Sequence, residues 1–245
     1  MQNFDSQSNK WPKKIPLLTV EQETINHDFV HHWHHVLAAD RNYYLIERFN
    51  QGYVVKHAPH YFQNTLEIGA GLGNHLEYEK LTALQKKHYV AIDLRDNMIE
   101  QLKVHHPEVN AFVADCQKTL PFQDHFFDRI LAIHVLEHLP NLPAAIKEIY
   151  RTCNKEQGIL SIVIPCEGGS LYQIARYFSA QRIFEKRYKQ SYRWFIEREH
   201  INTPQEIISE LLPYFNIIHQ RYFPFFIPSI HLNLCIGLTL KPKIF

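Results

Sequence analysis

The chain has 245 residues, which suits one large domain or one domain with appendages, because single cores stop growing near ~250–300 residues. With 45% hydrophobic and 21% charged residues its composition is that of a folded protein and excludes wholesale disorder. A net charge of +1 excludes a global pull toward nucleic acid or acidic membrane, so basic character must be local.

In chain order, residues 1–18 read as a polar arm broken by Pro12 and Pro16. From Thr19 to about Gln51 the pattern is helical: Thr19 and Gln22 match a capping box, and Ile25, Phe29, Trp33, Val36 and Leu37 recur at helical spacing. The run His31–His35 (HHWHH) reads as a histidine-tolerant surface, since no cysteine or carboxylate joins it at ligand spacing. His57–His60 is a proline-marked connection. Residues 1–60 are therefore expected to be an N-terminal arm and helical extension, and residues 61–245 the main domain.

The middle of the chain alternates strand and helix. Strands are predicted at Thr65–Ile68, His88–Ile92, Val109–Ala114, Phe127–Ile133 and Ile159–Ile164, with helices at His75–Gln85, Asp96–His105 and Leu142–Thr152. Such a rhythm implies an α/β, doubly wound parallel sheet covered on both faces. Residues 167–199 interrupt it as a helical lid after the fifth strand. Thr203-Pro204-Gln205-Glu206 restarts it with a helix N-terminal signature. Two final strands, around Phe215–Tyr222 and Ile230–Leu240, are joined by too short a connection to be parallel.

Four scattered cysteines (Cys116, Cys153, Cys166, Cys235) form no CxxC pair, so no zinc ribbon or disulfide framework is expected. The N-terminus lacks the apolar core of a signal peptide, and no apolar run reaches the ~18 residues of a membrane span, so a cytoplasmic chain is expected.

Of eight glycines, three lie within five residues: Gly69, Gly71 and Gly73, between a strand and a helix. Glycine is required where backbone turns sharply and approaches a ligand closely. Asp93 ends the second strand 20 residues after Gly73, where a carboxylate can accept a ribose diol, and Asp115 ends the third strand 22 residues later, in reach of an adenine amine. The spacing is GxGxG, with Asn74 where a dinucleotide fingerprint has its third glycine. Glu67 would repel a pyrophosphate but welcome the ammonium of a methionine moiety, which favours S-adenosylmethionine over NAD.

These segments, LEIGAGLGNHLE, YVAIDLRDNMIEQLK, FVADCQKTLPF and FDRILAIHVLEHLPNLPAAIKEIYRTCNKEQGILSIVIP, resemble successive motifs of class I S-adenosylmethionine-dependent methyltransferases, closely over residues 64–166 and by layout over 200–241. The resemblance implies a Rossmann-like seven-stranded sheet of order 3-2-1-4-5-7-6 with the last strand antiparallel. It implies S-adenosyl-L-methionine as cofactor, with Glu67, Gly69, Ala70 and Gly71 at its methionine end and Asp93 and Leu94 at ribose and adenine. Asp115 and Cys116 would meet the adenine edge, and His134 would lie beside the methyl group.

His134, Glu137, His138 and His200 are the candidate bases, of which His134, His138 and His200 are assigned to catalysis. Small-RNA 2′-O-methyltransferases and some ubiquinone-pathway O-methyltransferases carry a similar ExxEH segment that binds a divalent cation. Here His134 replaces its first Glu, and no metal ligand is assigned. The lid carries seven basic residues, Arg176, Arg182, Lys186, Arg187, Lys189, Arg193 and Arg198, interleaved with aromatics. The expected partner is thus a small-molecule acceptor, anionic or ring-bearing and methylated at oxygen, with peripheral membrane contact open and nucleic acid not expected. A monomer or homodimer is expected. The alternatives are a metal-assisted RNA 2′-O-methyltransferase and a non-catalytic cofactor-binding protein.

Overall fold

The computed structural model of the chain describes residues 10–32 and 41–244. Trp33, Val36 and Leu37 of the expected first helix, and most of the His31–His35 cluster, lie outside the described residues. Helix α1 (Val20–His32) opens on the expected reciprocal cap, with Gln22 N donating to Thr19 Oγ1 at 3.2 Å and Thr19 N to Gln22 Oε1 at 3.0 Å. A separate helix, α2 (Arg41–Lys56), carries the helical pattern past Gln51.

The seven strands are β1 (Thr65–Ile68), β2 (Tyr89–Asp93), β3 (Asn110–Val113), β4 (Arg129–Ile133), β5 (Ile159–Pro165), β6 (Phe215–Phe223) and β7 (Cys235–Pro242). They lie in the order β3-β2-β1-β4-β5-β7-β6, with β1 to β5 parallel and β7 antiparallel to both β5 and β6. This is the α/β architecture and strand order that the sequence implied. Buried runs of apolar residues form β1, β2, β4 and β5 because a sheet covered on both faces leaves no solvent side.

One face packs Leu66, Ile68, Ile130 and Ile162 against α5 (Leu142–Thr152) and α9 (Pro204–Leu211). Pro143 in its first turn starts α5, and the Thr203–Glu206 capping box starts α9. Glu206 also receives Lys13 Nζ at 2.7 Å, while Lys13 N donates to Pro140 O, so the arm lies fastened across the body. The other face is covered by α4 (Asp96–His105) on Tyr89 and Ala91, and by α2, whose Tyr53 and Val54 pack on Leu131, Val163 and Cys235.

The helix expected at 75–85 is absent. In its place are a 3₁₀ turn, Asn74–Tyr78, and a short helix α3 (Ala83–Lys87) with its own Thr82–Gln85 capping box. The cause is Arg129, whose side chain is fully buried on β4. Its Nη2 donates to Glu79 Oε1 at 2.6 Å and to Val54 O at 3.2 Å, and its guanidinium lies 4.9 Å from the Phe62 ring centroid. His75 bridges the same carboxylate and Gln51 of α2. Glu79 must point inward to neutralise the guanidinium, which a continuous surface helix would not permit. Two strand limits also shift. Phe127 forms a lone bridge to Cys153 instead of starting β4. Ile230–Leu232 forms a 3₁₀ turn, because buried Asn233 donates to Ile227 O and Ser229 O and accepts from Phe225 N.

Removing one partner of a buried ion pair strands the other, so Glu79→Gln is expected to cost about 3–5 kcal/mol in urea unfolding at pH 7. Burial raises the Glu79 carboxyl, but the His75 and Arg129 hydrogen bonds hold it at about 2. Its charge therefore stabilises the fold above the ordinary carboxylate pKa, and the gap between wild type and variant closes as pH falls toward 2. Gly237 lies under the Tyr53 ring, where an added Cβ would come within 2.6 Å, while nothing lies within 4 Å of a Cβ at Gly52 in α2. Gly237→Ala should cost about 1–3 kcal/mol by overpacking, and Gly52→Ala should gain about 0.5–1 kcal/mol of helix propensity.

Candidate active site

The carboxyl ends of β1 to β5 converge on one rim, the usual ligand edge of an open α/β sheet. The loop after β1 begins with Gly69 and Ala70, whose N–H groups both donate to Ile92 O, at 2.8 and 3.0 Å. Gly69, Gly71 and Gly73 have φ of +68°, +55° and +82°, a region that costs other residues dearly. A Cβ on Gly69 would strike Val135 Cγ2 at 2.4 Å, whereas one on Gly71 would meet nothing within 4 Å. Gly71 is thus an open cradle, and Gly69 is required by close packing.

Asp93 braces that cradle, its Oδ2 accepting Gly71 N at 3.0 Å. Its Oδ1 accepts Arg95 N at 2.9 Å and Arg95 Nε at 3.1 Å, so a half-exposed guanidinium caps the carboxylate. Leu94, beside it, exposes its apolar side chain. Asp115 Oδ1 accepts from the backbone and side chain of Gln117, whose Oε1 takes Asn141 N at 2.7 Å and so joins the β3 and β4 loops. Cys116 is buried, and that burial, with Asp115 nearby, pushes its thiol up to about 12. A neutral thiol leaves only packing and backbone at that position.

Glu67 stands apart. It is buried, and its Oε2 accepts Tyr89 Oη at 2.8 Å. Burial raises its carboxyl above the ordinary range. The carboxylate lies in the fields of His75 and Arg129, within the polar cluster that includes Tyr89.

After β4 the chain turns at His134, a non-glycine residue at φ +53° whose N–H donates to Val163 O at 2.8 Å. Such a conformation costs on the order of 1–3 kcal/mol and is held where surroundings over-determine it. The 3₁₀ turn Leu136–His138 follows and buries Glu137 completely. His134 Nδ1 lies 3.2 Å from Glu137 Oε1. Burial would depress the His134 imidazolium, but Cys235 and Glu137 raise it to about 10. Burial likewise raises Glu137, and the His134 hydrogen bond with the His138 field brings it down to about 2. His138 is lowered, chiefly by burial.

His200 reaches this turn from across the lid, its ring 5.1 Å from that of His138 at 73°. Its Nδ1 donates to Glu167 Oε2 at 2.9 Å, and Arg176 Nη1 donates to both oxygens of Glu167 at 2.6 Å. The three histidines assigned to catalysis are therefore brought together. Glu167 is the partner that sequence reasoning missed, and Glu137, a candidate base there, was left out of the catalytic assignment. Position directly after β4 and β5 was the available signal for both.

The lid consists of α6 (Ser170–Arg176), a π turn at Tyr177–Gln181, α7 (Arg182–Tyr188) and α8 (Arg193–Glu199). Phe184, Tyr192 and Phe195 close on Phe29 and Ile25 of α1, so α1 and the lid share one aromatic core. Several of its arginines have partners already: Arg176 on Glu167, Arg187 on Asp28, Arg193 on Glu197 and Arg198 on Pro16 O. These aromatics and charges are explained by packing of the cap. Tyr177 and Phe178 remain exposed, and Tyr172 lies against His200.

Residues 66–162 match the family model described as "Methyltransferase domain". Among solved structures the chain is similar to a TehB-like SAM-dependent methyltransferase from Corynebacterium glutamicum (15% identity, 90% of this chain and 100% of that one, TM-score 0.58). It is also similar to a SAM-dependent methyltransferase from Thermotoga maritima, a possible histamine N-methyltransferase (17% identity, 90% and 99%, TM-score 0.58). A third is the N-methyltransferase NodS from Bradyrhizobium japonicum (12% identity, 84% and 99%, TM-score 0.55). At such identities the structures speak for the fold alone. No curated protein matches the sequence. Among the described residues no helix is long and apolar enough to cross a membrane.

Gly69→Ala adds a clash to a left-handed backbone and should cost about 2–4 kcal/mol in urea unfolding. Gly71→Ala pays only the backbone term, about 1–2 kcal/mol, because its Cβ enters open space. Equal losses in the two variants would contradict the assignment of Gly71 as the cradle.

Proposed function

We propose that this chain is a class I S-adenosylmethionine-dependent methyltransferase that delivers the methyl group to an oxygen of a small or medium-sized acceptor held beneath the helical lid. The observation that carries this reading is the conjunction, after the parallel strands, of the open Gly71 cradle, the Asp93 carboxylate bonded to it, and His138 and His200 in ring contact, with His134 on the Glu137 carboxylate. When bound, the cofactor supplies a methyl on a sulfonium, a leaving group that needs no proton.

The chain's own residues have two tasks: to align donor and acceptor, and to exclude water. Gly69, Ala70 and Gly71 would hold the methionine end through backbone groups, with nothing filling the space above Gly71. Asp93 would take the ribose diol, for which the Arg95 guanidinium must give up its contact with Oδ1. Leu94 would lie flat against the adenine, and the Asp115–Cys116 segment would meet its edge. His134 would stand beside the methyl end. Glu67 would act through the buried cluster that shapes the loop, and not by touching the ammonium.

On the acceptor side, His138 is the base suited to a hydroxyl. Its Nδ1 donates to Glu199 O at 2.5 Å, which leaves Nε2 with its lone pair, and burial disfavours its charged form. His200 and Tyr172 would line the same pocket.

Calorimetric titration of S-adenosylmethionine and S-adenosylhomocysteine should show micromolar binding to wild type. Asp93→Ala should weaken it by about 100-fold, the worth of two hydrogen bonds to a charged acceptor. NAD should give no heat. Absence of adenosyl binding to well-folded wild type would overturn the reading.

A further inference from the structure

We infer that Glu137, His138 and His200 form a binding site for a divalent first-row transition cation, with His134 beside it. One ligand atom from each of the three lies within 4.8 Å of the others. Three atoms bound tetrahedrally to one ion at ~2.1 Å lie ~3.4 Å apart, so closing on an ion requires movements of up to about an ångström.

The hydrogen bonds around the histidines favour the same conclusion. A nitrogen facing a carbonyl or carboxylate oxygen must carry the proton. His138 Nδ1 faces Glu199 O at 2.5 Å, and His200 Nδ1 faces Glu167 Oε2 at 2.9 Å. Both rings are thereby fixed as Nδ1–H tautomers, and both present Nε2 as a lone pair. Carboxylate or carbonyl partners on the far nitrogen are the usual means of orienting metal-binding imidazoles. Arg176, holding both oxygens of Glu167, fixes the orienting carboxylate in its turn.

Glu137 provides an independent observation. It is completely buried, and its Oε2 has no hydrogen-bond partner. His134 Nδ1 contacts the other oxygen. A buried carboxylate short of donors is costly, and a cation among Glu137, His138 and His200 would meet its charge from the side of Oε1, which lies 3.8 Å from His138 Nε2. One carboxylate and two imidazoles suit zinc, manganese or iron, and not magnesium, which prefers oxygen ligands. Three protein ligands leave positions for an exchangeable oxygen ligand, and His138, about a third exposed, marks the open side. With a cation bound, His138 Nε2 is a ligand and no longer the proton acceptor described above, so the site replaces that role, and it stands on geometry that does not depend on methyl transfer.

The test uses the full-length protein, stripped with chelator and titrated with Zn²⁺ against a chromophoric competitor, and with Co²⁺ for its visible spectrum. One tight equivalent of Zn²⁺ and the spectrum of a nitrogen- and oxygen-ligated Co²⁺ are expected. Glu137→Gln, nearly isosteric, and His200→Gln should each weaken Zn²⁺ at least ~100-fold. Glu167→Gln keeps every ligand but loosens His200, and should weaken it about 10- to 100-fold. His105→Ala, on an exposed helix end, should change nothing. No tight equivalent in wild type would overturn the proposal, as would an equivalent retained by both Glu137→Gln and His200→Gln, the result expected of the His31–His35 cluster. Because neither titration contains an adenosyl compound, failure of the methyltransferase reading would leave this result intact.

Discussion

The buried guanidinium of Arg129 is the constraint around which this fold is arranged. A charge removed from water costs several kcal/mol unless counter-charge and hydrogen bonds meet it. Here they come from three places: Glu79, just past the glycine loop, the Val54 carbonyl at the end of α2, and the Phe62 face. The two bonds from its Nη2 therefore tie the N-terminal extension, the segment after the cradle and strand β4 to one another, while its Nε and Nη1 are buried without partners. His75 and Gln51 extend the same cluster, and Glu67 and Tyr89 bring it under β1 and β2. The glycine loop is held from inside by polar contacts and braced outside by Asp93. Its geometry is set before any ligand arrives, as preorganised binding requires.

A second constraint shapes the acceptor side. The left-handed turn at His134 directs the chain off β4 so that Glu137 is buried while His138 faces outward. The lid is joined to this turn by hydrogen bonds: Ile201 N and Asn202 N both donate to Glu137 O, and Asn202 Nδ2 donates to Leu136 O and Leu139 O. His200, immediately before these residues, is carried into place by them. The lid's outer part is stabilised differently, by burying Phe184, Tyr192 and Phe195 against Phe29 of α1. The inner edge of the cap is thus tied to the chemistry by polar contacts, and its outer edge to the N-terminal helix by apolar ones.

The two halves of the rim differ in electrostatic character. On the cofactor side a single carboxylate, Asp93, faces an open backbone cradle, an arrangement for hydroxyls and a cationic donor. On the acceptor side three imidazoles gather around one fully buried carboxylate. The first is suited to binding and the second to handling protons or a cation. A solved structure of similar fold is an N-methyltransferase, so the fold leaves the acceptor atom open and the side chains at the rim must decide it.

Local signals in the sequence determined a great deal. Strand runs, the three glycines, the acids at the ends of β2 and β3, and the Thr19 and Thr203 caps depend on neighbours within a few residues, and they were legible there. The order of the strands became legible only through resemblance. Tertiary structure alone decided that Glu79 turns inward, breaking the helix expected at 75–85, because its partner Arg129 is 50 residues away. It decided that Glu67 joins a buried cluster, that the lid's aromatics pack on α1, and that Asn233 shortens the last strand. It also decided that His200, 62 residues beyond His138, completes a cluster with it and Glu137. Periodicity and capping report on what a segment does by itself. Charge burial and ligand clusters depend on what the chain brings from elsewhere, and only the folded molecule contains that information.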